Sequence, residues 1–152
     1  MNISKKGISL IHSFESCILK AYKDPGSKDG LPITVGWGST FYTDGSRIKL
    51  TDIITQQHAN DLFVCEIGRK SNVLTAMKLK INQNQYDSLC SLIYNIGVGA
   101  FNSSTLLKKI KVNPNDETIR AEFMKWINND GKVLKGLIRR RKAEADLYFS
   151  LV

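Results

Sequence analysis

Phe14-Glu15-Ser16-Cys17, Leu19-Lys20-Ala21-Tyr22-Lys23-Asp24-Pro25 and Ile33-Thr34-Val35-Gly36-Trp37-Gly38 follow one another within the first quarter of the chain. Residues 19–23 and 33–37 read as short strands on either side of a turn-rich run. Between them, Asp24-Pro25-Gly26-Ser27-Lys28-Asp29-Gly30-Leu31-Pro32 carries the residues that supply turn geometry. Upstream, Ile8, Ile11, Phe14 and Ile18 recur at helical spacing behind Ser4, a capable N-cap. The spacing predicts a helix over 4–15, with Glu15 near its C-terminal end.

Downstream, Thr43-Asp44-Gly45-Ser46 predicts a turn inside a third strand or loop over 41–48. After Leu50 the signal is helical. Thr55 can cap a helix bearing Ala59, Leu62, Phe63 and Leu74, with Gly68 as a kink point. Asn82 can cap another that buries Tyr86, Leu89, Cys90, Ile93 and Tyr94, and Gly97 and Gly99 stop it. Ser103 or Ser104 opens a short helix through Ile110. Pro114 suits the first turn of the next, which buries Ile119, Phe123, Trp126 and Ile127. Asn128-Asn129-Asp130-Gly131 breaks the chain, and residues 136–149 form the last helix. The expected class is α+β, a small sheet inserted between a first helix and a larger helical part.

The 152 residues contain no internal repeat or low-complexity tract and suffice for one domain, 1–152. Twenty-two Lys and Arg against 14 Asp and Glu leave a net charge of +8. The expected partner is therefore anionic: nucleic acid, acidic lipid or an acidic wall polymer. Cys17, Cys65 and Cys90 cannot all pair within one chain, which excludes a disulfide scaffold and predicts reduced thiols. No run approaches the roughly 18 apolar residues of a membrane span, and residues 1–12 lack the apolar region of a secretory signal. His12 and His58 stand far apart without ligand-spaced neighbours, so no metal is expected. Gly36-Trp37-Gly38 lacks the remaining glycine and lysine of a phosphate loop.

Glu15 faces the partial negative charge of a helix C-terminus, which disfavours a carboxylate, whereas Lys20 and Lys23 flank Asp24 and favour one. Two carboxyl groups in opposed environments make a candidate acid and base pair, the requirement of glycoside hydrolysis. From this spacing alone, two ordinary surface carboxylates are the favoured description.

The wider pattern resembles the phage-type lysozymes, the endolysins and muramidases of glycoside hydrolase family 24. A Glu, eight intervening residues, an Asp and a Thr-x-Gly-x-Gly strand correspond to Glu15, Asp24 and Thr34-Val35-Gly36-Trp37-Gly38. Gln85-Tyr86-Asp87-Ser88-Leu89, Tyr94-Asn95-Ile96-Gly97-Val98-Gly99-Ala100-Phe101, Ser104-Thr105-Leu106-Leu107, Trp126 and the stretch Gly136 to Glu144 continue the likeness in order. The resemblance implies a lysozyme-like α+β fold, a small sheet lobe plus a larger helical lobe with the active-site cleft between them. It implies cleavage of the β-1,4 bond between N-acetylmuramic acid and N-acetylglucosamine, with Glu15 as general acid and Asp24 and Thr34 holding the attacking water. It also implies substrate contacts from Tyr94, Asn95 and Ser104, no cofactor, action as a monomer, and release from the host cytoplasm through a holin-type membrane lesion.

Nine residues separate Asp24 from Thr34, more than many family members have, which makes Asp29 a rival carboxylate. Asp24 is preferred because it closes a strand, whereas Asp29 sits at a loop tip. Ser39 stands where some members carry a His. Tyr94 and Asn95 also suit a core tyrosine and a helix C-cap, and Ser104 an N-cap. Among Arg139, Arg140 and Arg141, successive side chains point about 100° apart, so one is expected to face inward or reach the glycan; Arg140 is the candidate. Two further functions stay open on charge alone. A nucleic-acid binder is disfavoured because the lysines are scattered and no reader motif is present. A membrane-active C-terminal segment, Leu137, Ile138, Leu147 and Phe149 beside Arg139 to Lys142, predicts a secondary contact with anionic membranes, although a terminal helix packed on the helical lobe has the same pattern.

Overall fold

The computed structural model describes Met1–Val152. It contains seven helices and two small sheets, in the order α1 (Lys5–His12), β1 (Ile18–Lys23), β2 (Ile33–Gly36), α2 (Gln56–Ala76), α3 (Gln83–Ile96), α4 (Val98–Asn102), α5 (Thr105–Val112), α6 (Ile119–Phe123), β3 (Asn128–Asn129), β4 (Lys132–Val133) and α7 (Lys135–Tyr148). Its contacts divide the chain into two compact units, His12–Gly68 and a second made of Met1–Ile11 with Arg69–Val152.

In the first unit β1 and β2 pair antiparallel, with Ile18 opposite Gly36, Tyr22 opposite Thr34 and Lys23 opposite Ile33. The register slips between Ile18 and Tyr22, so β1 carries a bulge and twists more strongly there. The other edge of β1 is occupied as well: Ala21 N donates to Asp52 O (2.9 Å) and Ile54 N to Leu19 O (2.9 Å). Side chains alternate across the ladder. Ala21 and Val35 point into a core with Ile48, Ile54, Ala59 and Leu62, which leaves Tyr22 and Thr34 on the opposite face. Gly36, at φ +65°, is where the strand meets α2; a Cβ there would lie 3.0 Å from the Ala59 methyl. Thr55 caps α2, its Oγ1 accepting from His58 N at 3.1 Å.

The predicted turn over 41–48 is a turn, closed by a single bridge between Phe41 and Arg47. His12 stacks on Trp37 with ring centres 3.6 Å apart and planes within 4°. Burial lowers the His12 pKa, and its Nε2 is enclosed without a hydrogen-bond partner. His12 is therefore a neutral packing residue.

In the second unit α3 is the buried helix, with every residue from Asn84 to Ile93 inside. Its capping box is complete: Gln85 N donates to Asn82 Oδ1 (2.9 Å) and Asn82 N to Gln85 Oε1 (2.9 Å). The polar residues of α3 survive burial because each is partnered. Asp87 takes Ser4 N at 2.9 Å, Ser88 Oγ donates to Glu144 O at 2.6 Å, and Ser91 Oγ to Glu144 Oε1 at 2.6 Å. Gly7 fits against this helix only without a side chain, since a Cβ would fall 2.8 Å from Asp87 Cγ.

Several expectations are corrected. α1 ends at His12 and not at Glu15, because the apolar repeat that continued through Ile18 passes into β1. Pro114 does not open a helix: residues 113–116 form a turn, Asp116 holds Thr118 N at 2.8 Å, and α6 starts at Ile119. Residues 128–133 form a β hairpin around Asp130 (φ 49°) and Gly131 (φ 75°), the left-handed pair a tight hairpin turn requires. α4 was not foreseen. No helix is long and apolar enough to cross a membrane. α7 packs on α3 and buries Arg140, Arg141, Glu144, Ala145, Leu147 and Tyr148; of the apolar stripe behind the membrane expectation, Leu147 is buried, while Leu137, Ile138 and Phe149 are half-buried.

Candidate active site

Glu15, Asp24 and Thr34 all belong to the unit His12–Gly68. Glu15 lies in the irregular segment between α1 and β1, after a turn at Ser13 and Phe14, and is half-buried. Asp24 follows the last residue of β1. Its amide donates to Gly30 O (3.0 Å), which extends the ladder by one bond, and its Oδ1 accepts from Gly26 N (2.9 Å), an Asx turn that orients the carboxylate. Thr34 is 8% exposed, and its Oγ1 donates to Pro32 O at 3.2 Å, leaving lone pairs on the hydroxyl.

Tyr22 ties the three together. Directly opposed residues of an antiparallel pair have Cβ atoms about 4.5–5.5 Å apart on one face, and Tyr22 opposes Thr34. Asp24, two positions after Tyr22, continues that face. Burial raises the Tyr22 phenol above the ordinary tyrosine range, and the charges of Asp24 and then Glu15 add to the rise. Both carboxyl groups therefore act on one phenol. Sequence reasoning passed over Tyr22, although its i, i+2 relation to Asp24 on a strand was legible. The missing fact was the register, which the long loop concealed.

Asp29 has another occupation. Its Oδ1 accepts from Ser27 Oγ and from Leu31 N (3.0 Å). These bonds, the Ser27 hydroxyl first and the Leu31 amide second, lower its pKa. Asp29 shapes the loop, while Asp24 shares the face of Tyr22 and Thr34. Cys17 is half-buried and accepts weakly from Gln56 Nε2 at 3.4 Å. Ser39 turns inward onto Glu66 Oε2 at 3.4 Å. No group of three or more His, Cys, Asp and Glu side chains is placed to hold a metal ion.

The remaining candidates lie in the second unit. Tyr94 is half-buried, with Lys70 Nζ 4.5 Å from its ring centre, a cation–π contact. Asn95 is exposed; its Oδ1 accepts from Arg141 Nη2 at 2.9 Å, which directs the amide NH2 outward. Asn95 lines a groove of about 450 Å³ with Trp126, Asn128, Asn129 and Leu137. An aromatic face among three amides was not anticipated, since Asn128 and Asn129 read only as a helix breaker. Ser104 caps α5: it is 6% exposed, its Oγ accepts from Leu107 N (3.1 Å) and donates to Phe101 O (2.6 Å), and it also lines a pocket with Ser103, Lys125 and Trp126. Arg140 is corrected to a structural role. It is 4% exposed, and its guanidinium bonds Glu144 Oε1 (3.1 Å) and Ser91 O (3.3 Å), so it has no face open to a glycan.

Residues 12–144 match the family model described as phage lysozyme. The chain is 40% identical over 155 residues to an endolysin of Acyrthosiphon pisum secondary endosymbiont phage 1, covering 99% of each chain. Among solved structures it is similar to an endolysin of Escherichia coli O157:H7 phage FAHEc1, at 31% identity and a TM-score of 0.84 over 98% of this chain and 94% of that one. It is also similar to the muramidase domain of SpmX from Asticaccaulis excentricus, at 25% identity and a TM-score of 0.83 over 99% of both.

Proposed function

Because the chain belongs to the phage lysozyme family and is a peptidoglycan hydrolase of lysozyme fold, a glycosidase, we propose that it cleaves the β-1,4 bond from N-acetylmuramic acid to N-acetylglucosamine with Glu15 as general acid. Glu15 gives its proton to the glycosidic oxygen as the bond to the anomeric carbon breaks. Asp24 and Thr34 hold a water on the opposite face of the sugar, and Asp24 takes the proton that this water loses. One proton enters and one leaves, and the anomeric configuration inverts. Such a pathway needs carboxyl groups roughly 6.5–9.5 Å apart, with room for the water between them.

One observation carries this reading. Two carboxyl groups from different segments bear on a single phenol whose cross-strand partner is the threonine. Tyr94 and Asn95 serve as glycan contacts, an aromatic face and an outward amide. Residues 1–152 act as one catalytic domain and as a monomer, held in the host cytoplasm until a holin-type lesion opens the way to the wall.

The net charge of +8 draws the enzyme to a polyanionic wall. Exposed charges are largely screened beyond about 8 Å at physiological salt, so lysis is expected to slow as salt rises. The test is turbidity clearing of purified walls across ionic strength, with the released reducing ends measured alongside. Clearing that fades with salt and is matched by new reducing ends is the expected result. Clearing without reducing ends would overturn the hydrolytic assignment, and a flat salt response would overturn the steering.

A further inference from the structure

We propose that Arg141 is a positioning residue for substrate: from inside the fold it holds the Asn95 amide so that the groove beside it presents an N–H donor, and the groove seats an N-acetylglucosamine ring by its acetamido carbonyl. The inference rests on the reading of Asn95 as a glycan contact, and adds what that contact selects and what holds it in place.

The first support is the chemistry of one bond. Arg141 Nη2 lies 2.9 Å from Asn95 Oδ1. A guanidinium has donors and no acceptor, so the atom turned towards it is the carbonyl oxygen, and the end left for the groove is the NH2. The opposite flip would set two donors against each other. Arg141 is itself held. It is 0% exposed, its Nη2 also donates to Glu144 Oε1 (3.1 Å), and its Nε lies 2.8 Å from Glu144 Oε2 as an ion pair. The buried carboxylate therefore orients the guanidinium, and the guanidinium orients the exposed amide. Because the amide is fixed before the sugar arrives, little rotamer freedom is lost there on binding.

The second support is the groove. Its volume of about 450 Å³ is bounded by Asn95, Trp126, Asn128, Asn129, Leu134 and Leu137. Trp126 is half-buried and offers an aromatic surface, and the pairing of Asn128 with Val133 and of Asn129 with Lys132 sets both amides in the β3–β4 hairpin. No Lys, Arg, Asp or Glu lines the groove, although the chain carries a net charge of +8. A seat for the carboxylates of a peptide stem would call for a cation. Amides beside an indole suit an uncharged ring that bears an amide of its own and no stem. Attraction to the wall and recognition of the sugar thus fall to different residues.

The test compares Asn95→Asp, Asn95→Ala and Arg141→Lys on purified peptidoglycan, with Tm measured on the same preparations. Asn95→Asp keeps the shape and the acceptor that Arg141 meets, but turns an acceptor to the groove in place of the donor. Expected are a Tm within a few degrees of wild type, a KM about 5- to 10-fold higher and a kcat within about twofold. Wild type should show a KM raised about 5- to 10-fold on walls de-N-acetylated at glucosamine, a preference that Asn95→Asp should lose. Arg141→Lys should raise KM about threefold or more, yet add nothing in the Asn95→Ala background, because it acts through that amide. Whether or not Arg141→Lys folds, ¹⁵N relaxation of the wild type should find the Asn95 side-chain amide rigid on the ps–ns scale. A mobile amide, or an Arg141→Lys that lowers Tm and leaves KM unmoved, would overturn the positioning role. A raised KM in Asn95→Ala with wild-type KM in Asn95→Asp would overturn the donor, and a preference for acetylated walls kept by Asn95→Asp would overturn the acetamido seat. Wild-type KM in Asn95→Ala would instead overturn the glycan contact beneath the inference.

Discussion

Replacing Glu15 with Gln is expected to slow wall clearing by about a thousandfold or more while leaving Tm within a few degrees. General acid catalysis alone contributes about 10²- to 10⁴-fold, and a sugar alkoxide is a poor leaving group without a proton. Glutamine keeps the size and polarity of the side chain but has no proton to give. Glu15 sits in an irregular segment, half-buried and outside any helix or strand, so the exchange removes no ladder bond and opens no cavity. Turbidity assays with Tm measured on the same preparations separate the two effects. Clearing within tenfold of wild type would remove Glu15 from the chemistry.

The second large effect is on stability and lies in the other unit. Glu144 is fully buried in α7, where Arg140 Nε (3.1 Å), Arg141 Nη2 (3.1 Å) and Ser91 Oγ (2.6 Å) all meet its Oε1. Its Oε2 lies 2.8 Å from Arg141 Nε as an ion pair without hydrogen-bond alignment. Burial pushes the Glu144 carboxyl up from the ordinary range, and Arg141 is the foremost influence opposing it. Two guanidiniums around one carboxylate keep it ionised.

Glu144→Ala leaves both arginines inside without a counterion, and breaking a buried pair in this way costs about 3–5 kcal/mol. For a chain of this size that is a fall in Tm of about 10 °C, at roughly 2–4 °C per kcal/mol. Thermal and urea unfolding should agree on the loss. A Tm within 2–3 °C of wild type, on the order of 1 kcal/mol or less, would mean that the cluster contributes little. Arg140, expected from sequence to reach the glycan, takes its role from this same carboxylate.

How much of this was legible in the sequence depended on whether the signal was local. The strands were found because they flank a turn-rich run, and α3 because Asn82 can cap a periodic apolar face; the structure adds Gln85 and completes a capping box. Glu15, Asp24 and Thr34 were named from their spacing and from the family likeness. What the sequence hid was tertiary. Nothing local says that Tyr22 opposes Thr34, since register depends on a bulge between Ile18 and Tyr22. Nothing local distinguishes a solvated run of arginines from one that loses two members to a buried glutamate on the same helix. Ser104 could be read both as cap and as contact because one hydroxyl suits either; the Leu107 and Phe101 bonds, visible only in the structure, show the cap. The hairpin over 128–133 was missed for a different reason. Its Asp-Gly turn signal was present, but it lies between two helices and was read as a helix break.

The central claim is that water, held by Asp24 and Thr34, replaces the glycosidic oxygen that Glu15 protonates. It is tested most directly by digesting purified peptidoglycan in ¹⁸O-enriched water and weighing the fragments by mass spectrometry. Hydrolysis at the assigned bond predicts reducing N-acetylmuramic acid ends that each carry one heavy oxygen, formed by wild type and absent with Glu15→Gln. Anhydro ends without label, or label on reducing N-acetylglucosamine, would contradict it.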